Sequence, residues 1–358
     1  MKEVEALHKL FRLVDANINR AAEGMRVLED IARLCFDNRE VSERLKRLRH
    51  DTRKNIMAYL PECLSERDSL NDVGLDISRE LKLDGKGSMQ ELVTANFKRV
   101  QEALRVVEEN LKLLGRYELS KLYEGFRFAS YSLEKDYIKV EYSHEKRRKL
   151  NTDLYCVTAG EYSCGRDNLQ VVRSMINSGV KIIQYREKDK KLIQKYDECL
   201  KIREMTLEAG VTFIVNDNID IAMLVRADGV HIGQDDLPVE KVRELVGDEM
   251  IIGLSTHSPG QAQDAVKRGA DYIGVGPIFR TFTKKDVCEP VGLEYLDYVV
   301  ENINIPYVAI GGIKENNMHQ VLARGAGCIA MVTEIVGADS IEHKIANIRK
   351  KMSGRESI

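Results

Sequence analysis

Ile273-Gly-Val-Gly-Pro-Ile-Phe-Arg-Thr-Phe-Thr-Lys-Lys285 opens as a strand and ends as an anion site. The run from Asp271 to Ile278 is small and β-branched, the composition of a buried strand, and Gly276-Pro277 stops it. The loop that follows carries hydroxyls at Thr281 and Thr283 and cations at Arg280, Lys284 and Lys285. An aliphatic strand emptying into a polar, cationic loop is how an α/β enzyme presents an anion at the carboxyl end of its sheet. A basic loop can equally be a solvated one. The neighbourhood decides, and it repeats the same grammar.

Residues 150–350 alternate short β-branched runs with amphipathic stretches, the mark of a parallel sheet covered by helices. The expected strands are Leu154–Thr158, Lys181–Tyr185, Thr212–Asn216, Gly229–Ile232, Met250–Leu254, Asp271–Val275, Pro306–Ile310 and Cys328–Val332. Helices are expected near 167–178, 190–209, 218–225, 238–246, 259–268, 292–302, 314–324 and 339–352. Eight such units in about 200 residues describe a (β/α)8 TIM barrel. A doubly wound open sheet would want a G-x-G-x-x-G after the first strand, and none is there.

A barrel puts its chemistry just after its strands. Those positions hold Gln184 to Lys188, Asn216 and Asp217, Gln234 to Asp236, Ser255 to His257, Thr281 to Lys284, Gly311-Gly312, and Val332-Thr333. Asp217 and Asp236 follow adjacent strands, so two carboxylates converge, which suits a Mg²⁺ shared with substrate phosphates. Arg186, Lys188 and Lys284 are phosphate clamps by type. Gly311-Gly312, with amides after the eighth strand, suits a phosphate monoester. No Ser-His-Asp set and no placed nucleophilic cysteine emerges, and His231 and His257 read as structural. The pattern favours transfer chemistry in which a diphosphate leaves. A phosphate-binding isomerase would want an acid/base pair in place of two carboxylates beside three cations.

These stretches resemble the thiamine-phosphate synthase family over nearly all of 150–345. The motifs are Gln-Tyr-Arg-Glu-Lys, Val-Asn-Asp, Asp-Gly-Val-His-Ile-Gly-Gln-Asp-Asp, Gly-Leu-Ser-Thr-His, Tyr-Ile-Gly-Val-Gly-Pro-Ile-Phe-x-Thr-x-Thr-Lys and Ala-Ile-Gly-Gly-Ile. Tyr185 departs from the family's usual Leu, and Arg280-Thr-Phe-Thr from its Pro-Thr-x-Thr. The resemblance implies that hydroxymethylpyrimidine diphosphate loses pyrophosphate, and that the nitrogen of hydroxyethylthiazole phosphate captures the pyrimidine-methyl cation. It implies pyrimidine diphosphate contacts from Gln184, Tyr185, Arg186, Glu187, Lys188, Asn216, Ser255 and Lys284. Of these, Arg186, Ser255 and Lys284 would be catalytic. Thr281, Phe282, Thr283, Gly312, Val332 and Thr333 would hold the thiazole phosphate, and Asp217 and Asp236 the Mg²⁺.

The bulk numbers set the frame. The chain has 358 residues, which suggests two domains. A net charge of −2 argues against a nucleic-acid footprint. No apolar run reaches membrane-span length. The charged start has no signal-peptide core. Seven scattered cysteines without C-x-x-C read as reduced, cytoplasmic usage. The partners expected are small phosphorylated molecules, with neither nucleic acid nor membrane, in a homo-oligomer.

Residues 1 to about 140 are patterned as helices, and they repeat. Val14-Asp-Ala-Asn-Ile-Asn-Arg-Ala-Ala-Glu-Gly-Met-Arg-Val-Leu-Glu-Asp aligns with Val93-Thr-Ala-Asn-Phe-Lys-Arg-Val-Gln-Glu-Ala-Leu-Arg-Val-Val-Glu-Glu at a constant offset of 79. After a one-residue slip, Arg49 matches Arg127. Two helical hairpins suggest a four-helix bundle with a pseudo-twofold axis. The repeated residues recur three apart, one stripe of a helix surface. They would line a pocket of Asn17, Arg20, Glu23, Arg26, Asn96, Arg99, Glu102 and Arg105, or else form salt bridges kept from a duplication. With the connector Arg67-Asp-Ser-Leu-Asn-Asp-Val-Gly74, these blocks resemble a helical family fused ahead of thiamine-phosphate synthases and assigned as a hydroxymethylpyrimidine phosphate kinase. That resemblance implies a bifunctional enzyme, with ATP as a candidate donor. The alternative is a monofunctional synthase with an assembly or regulatory domain. The charged run 141–150 reads as a linker, which divides the chain into an all-α domain, 1–146, and a barrel, 147–358.

Overall fold

The structure is a computed structural model and describes residues 2–66, 85–283 and 288–354. The connector from Arg67 to Gly74, and Lys284 and Lys285, lie outside the described residues. The chain divides into two compact units, Met1–Tyr142 and Ser143–Ile358.

In the first unit, α1 spans Lys2–Leu34, α2 Arg39–Tyr59 and the short α3 Glu62–Ser65. Helix α4 spans Met89–Leu113 and α5 Tyr117–Leu150. The break after α1 is made by Asp37, at φ 48°, and by Asn38, whose side chain caps the Val41 amide. Ser88 caps α4 in the same way, at the Glu91 amide. Val14, Ala21, Met25 and Leu28 of α1 pack with Val93, Phe97, Val100 and Leu104 of α4 in one buried cluster. At Gly24 the approach is close: a Cβ there would stand 2.9 Å from Val100 Cγ2 and 3.2 Å from the Asn96 carbonyl. The repeat is realised as a duplicated ion knot. Arg49 puts Nε and Nη2 on Glu29 Oε2, at 3.0 and 2.9 Å, while Arg26 reaches Oε1. Arg127 and Arg105 do the same to Glu108, 79 residues on from Glu29.

Residues 141–150 are the end of α5, not a linker. Arg147, Arg148 and Lys149 complement the negative end of the helix dipole. Lys146 bonds Asp271 and Lys149 bonds Asp228, each just ahead of a strand. Leu150 plugs the barrel interior.

Eight parallel strands close the barrel in chain order: β1 Leu154–Val157, β2 Ile182–Tyr185, β3 Thr212–Asn216, β4 Gly229–Ile232, β5 Ile251–Thr256, β6 Tyr272–Val275, β7 Tyr307–Ile310 and β8 Ile329–Ala330. β1 pairs with β8 through Leu154 and Ile329. Alternation sorts each strand. Tyr155, Ile182, Ile214, Ile251, Tyr272 and Val308 fill the interior. Ile183, Tyr185, Phe213, Val230 and Ile273 face the covering helices. Those are α6 Asn168–Asn177, α7 Leu192–Ala209, α8 Ile219–Leu224, α9 Val239–Val246, α10 Pro259–Lys267, α11 Gly292–Asn302, α12 Met318–Ala323, α13 Thr333–Val336 and α14 Ile341–Met352.

Candidate active site at the carboxyl end of the barrel

The period of two that buries Ile182, Ile214 and Ile251 puts Gln184, Asn216, Gly253 and Ser255 on the same inner face, further toward the carboxyl end. Gln184 is buried. Thr158, at the end of β1, pins the backbone next to it: its Oγ1 accepts from the Arg186 amide at 2.9 Å and donates to the Arg186 carbonyl at 3.3 Å. The Arg186 guanidinium makes no hydrogen bond or ion pair among the described residues. It is a partly buried cation at the end of β2.

Lys188 Nζ reaches Asp217 Oδ2 at 2.6 Å, joining the loops after β2 and β3. Asp217 sits in the left-handed region, at φ 61°, and its amide bonds the His231 carbonyl of β4. Asp236 folds back so that Oδ2 accepts from the Gly233 amide at 2.7 Å. The second oxygen of each carboxylate has no partner among the described residues. Two hard, half-satisfied carboxylates suit Mg²⁺, which keeps several waters and takes few protein ligands. Among the described residues no group of three or more His, Cys, Asp or Glu gathers into a metal cage.

The loops after β6 and β7 form one ledge. Ile278 and Phe279 donate to the carbonyls of Ile310 and Gly311. Gly312, at φ 65°, lies so close beneath that a Cβ would be 2.6 Å from the Arg280 carbonyl. Thr281 Oγ1 and Thr283 Oγ1 stand 3.2 Å apart. Phe282 is exposed, with Arg280 over its ring. Val332 is the N-cap residue and Thr333 the first residue of α13. Lys284 lies outside the described residues.

Two residues of the expected pyrimidine diphosphate set do not join it by their side chains. Tyr185 alternates outward, buried against the helices, with its hydroxyl on Glu198 Oε2 at 2.7 Å. Burial and the Glu198 carboxylate push its phenol well up. Glu187 accepts from Asn168 at 3.1 Å. Both brace the loop that carries Arg186 and Lys188.

Sequence reasoning passed over the group beneath Ser255. His231 Nε2 lies 2.9 Å from Ser255 Oγ, and its Nδ1 lies 2.9 Å from Tyr272 Oη. Tyr272 Oη is 2.7 Å from Tyr155 Oη, which accepts from Gln184 Nε2 at 3.3 Å. The strand pattern held a signal, since polar rings on the inward alternation must find partners inside the barrel. His257, by contrast, is structural: Nδ1 lies on the Gly276 carbonyl.

The eight-residue stripe of the helical unit does not share one environment. Asn17 and Asn96 are buried, each bonding the carbonyl four residues back. Arg26 and Arg105 are taken by the ion knots. Arg20, Glu23, Arg99 and Glu102 are exposed, without an ion pair among the described residues. An open cleft of about 610 Å³ takes in Arg26 alone of the eight, with Arg33, Arg39 and Lys46.

A closed eight-stranded parallel barrel, with Arg186 unpaired among the described residues, Lys188 on Asp217 and glycine-lined loops at its carboxyl end, has the architecture of a (β/α)8 enzyme. A family model for thiamine monophosphate synthase matches residues 154–335, and one for the ThiD2 family matches residues 12–136. The chain is 67% identical over 207 residues to the thiamine-phosphate synthase of Pelotomaculum thermopropionicum, covering 58% of this chain and 95% of that one. It is 36% identical over 331 residues to that of Nostoc punctiforme, covering 92% and 90%. The solved thiamine phosphate pyrophosphorylase of Pyrococcus furiosus superposes with a TM-score of 0.53 at 33% identity, over 58% of this chain and 98% of that one. The chain belongs to the thiamine-phosphate synthase family, and carries ahead of its barrel a domain of the hydroxymethylpyrimidine kinase-like ThiD2 family.

Proposed function

We propose that the barrel joins hydroxymethylpyrimidine diphosphate to hydroxyethylthiazole phosphate, releasing pyrophosphate and forming thiamine phosphate. The observation that carries this is the placement of Arg186, Lys188, Asp217 and Asp236 after the neighbouring strands β2, β3 and β4, with Lys188 bonded to Asp217, within the stretch that matches the family. Arg186 and Lys188 take the diphosphate oxygens, with Lys284 as a third cation for them. Gln184, Asn216 and Ser255 orient the pyrimidine. The C–O bond to the diphosphate breaks, its electron pair leaves with pyrophosphate, and the thiazole nitrogen attacks the resulting cation. Thr281, Thr283 and the amides at Gly312, Val332 and Thr333 hold the second substrate, with Phe282 beside it. Asp217 and Asp236 would hold Mg²⁺, which when bound neutralises charge on the leaving group.

Calorimetric titration with inorganic pyrophosphate tests the anion site. Mg²⁺-dependent binding that Asp217→Asn abolishes is expected. Binding indifferent to both Mg²⁺ and Asp217 removes the metal assignment.

For the helical unit we propose phosphorylation of the pyrimidine monophosphate with ATP as donor, which would make the chain multifunctional. The ThiD2 match supports this reading over an assembly or regulatory role. Arg20, Glu23, Arg99 and Glu102 are the part of the repeated stripe left free for a ligand among the described residues. Double replacement Arg20→Ala/Arg99→Ala should abolish ATP-dependent diphosphate formation while sparing the barrel reaction, and retained formation counts against the stripe. A cytoplasmic homo-oligomer acting on small phosphorylated molecules, with neither nucleic acid nor membrane, completes the proposal. Among the described residues no helix is long and apolar enough to cross a membrane.

A further inference from the structure

The side chains of Gln184, Tyr155, Tyr272, His231 and Ser255 form a hydrogen-bonded file through the barrel interior, each link being 2.7–3.3 Å long. Seen at its end alone, Ser255 with His231 at 2.9 Å looks like a nucleophile with its base. The rest of the file says otherwise, because each hydroxyl has one proton to give.

A carboxamide nitrogen only donates, so Tyr155 Oη accepts from Gln184 Nε2. Were Tyr272 to donate here, the buried Tyr155 proton would have no acceptor in the file, so Tyr155 donates to Tyr272 Oη. Tyr272, having accepted, spends its proton on His231 Nδ1. Burial pushes both phenols well above their ordinary range, so neither gives its proton up to solvent. A neutral imidazole that accepts at Nδ1 carries its proton at Nε2, and that proton points at Ser255 Oγ.

We propose that this file is a one-way hydrogen-bond relay in which Gln184 sets the direction and His231, as its Nε2–H tautomer, turns Ser255 into a hydrogen-bond donor toward the substrate. Ser255 Oγ accepts from the ring, so its own O–H is released into the cavity. The chemical class it fits is an acceptor that gains charge during the reaction, such as a diphosphate oxygen or a pyrimidine ring nitrogen. His231 is a positioning residue and not a general base. The relay is built in: a Cβ on Gly253 would stand 2.2 Å from Tyr272 Cζ, and one on Gly274 would stand 3.4 Å from His231 Cε1. Turning the Gln184 amide over would reverse every link and commit the Ser255 proton to His231.

The functional half rests on the proposed contact between Ser255 and substrate; the tautomer does not. Long-range ¹H–¹⁵N correlation on full-length protein labelled at histidine, without substrate, reads the tautomer, and the signal lost in His231→Gln assigns it. A protonated Nε2 with a pyridine-type Nδ1 is expected; the opposite pattern overturns the relay. Gln184→Glu replaces the donor with a carboxylate that only accepts, and should switch the ring to Nδ1–H. An unchanged ring in that variant overturns the role of Gln184. In turnover, Ser255→Ala should lower kcat on the order of 10²-fold, the size of one oriented donor on a developing charge. His231→Leu should show the same kcat loss with KM for the thiazole phosphate unchanged, and His231→Gln, which keeps a donor, should recover part of it. If Ser255→Ala turns over like wild type while the tautomer is as expected, the substrate contact fails and the donor role with it.

Discussion

The helical unit and the barrel both place arginines, carboxylates and amides in patterned positions, but they spend them differently. In the helical unit the pattern repeats, and much of it closes on itself. Glu29 and Glu108 are buried, and each is shared by two arginines. In the barrel the polar groups do not repeat. They collect where strands stop, and Arg186 is left without a partner among the described residues. A repeated polar residue is therefore weak evidence for a ligand, because a duplicated salt bridge repeats just as well. A polar side chain at the end of a buried strand that finds no partner, as Arg186 finds none among the described residues, is stronger evidence, because no structural bond accounts for it.

The largest test of that contrast is Asp217→Asn. It should lower turnover about 10²–10⁴-fold, as the proposed metal-ligand role requires, with the thermal midpoint unchanged. Steady-state kinetics beside a melting curve checks it, and a fall in stability matching the fall in rate would erase the distinction between the two regions.

Glu108→Gln is the counterpart in the helical unit. It leaves Arg127, which is 11% exposed, without its charge partner. It should cost about 3–5 kcal/mol of that unit's stability, the usual result of breaking a buried pair, and leave thiamine phosphate formation by the barrel intact. Denaturant unfolding with the synthase assay at low denaturant reads both.

Acid should weaken both regions by the same route. For Glu108, Asp153 and Asp228, burial pushes the carboxyl up, but hydrogen bonds and cations outweigh it and hold each below its ordinary value. Lys112 and Arg127 do this for Glu108, Arg349 for Asp153, and Lys149, the Phe213 amide and Arg203 for Asp228. A carboxyl whose folded value is depressed contributes stability above its unfolded value, about 4, and loses it as pH falls through the folded value. The thermal midpoint should be level down to about pH 5 and fall steeply below about pH 4. Asp228→Asn should start lower at neutral pH and show a shallower acid limb, whereas an unchanged limb would take Asp228 out of the account.

The smallest effect separates packing from propensity inside the helical unit. Gly125, within α5, has nothing within 4 Å of an added Cβ, so Gly125→Ala should stabilise by about 0.5–1 kcal/mol. Gly24→Ala meets Val100 and the Asn96 carbonyl, and should destabilise by about 1–3 kcal/mol despite the same gain in propensity. Equal signs in the two melts would show that α1 and α4 can part without cost.

Much of this was legible in the sequence, for reasons that name its limits. β3 and β4 fall on the expected residues because each is a run buried at all but one position, with turn residues just beyond it. β8 is shorter than expected, Ile329–Ala330, since Val332 already turns into α13. The end of α5 read as a linker because its charges looked solvated. Their partners, Asp228 and Asp271, lie 79 and 125 residues away, and no local window contains them. Tyr185 could have been placed outward by alternation with Gln184, but the family motif runs through both and gives no sense of face. His231 lacked any cue in composition, because its meaning comes from Tyr272 and Ser255 on two other strands.

The most direct measurement is thiamine phosphate formation by the full-length protein from hydroxymethylpyrimidine diphosphate, hydroxyethylthiazole phosphate and Mg²⁺, run beside the same mixture with the pyrimidine monophosphate and ATP in place of the diphosphate. Product in the first mixture places the chemistry at the strand ends of the barrel, and product in the second extends it to the helical unit. No product from the preformed diphosphate would contradict the account at its centre.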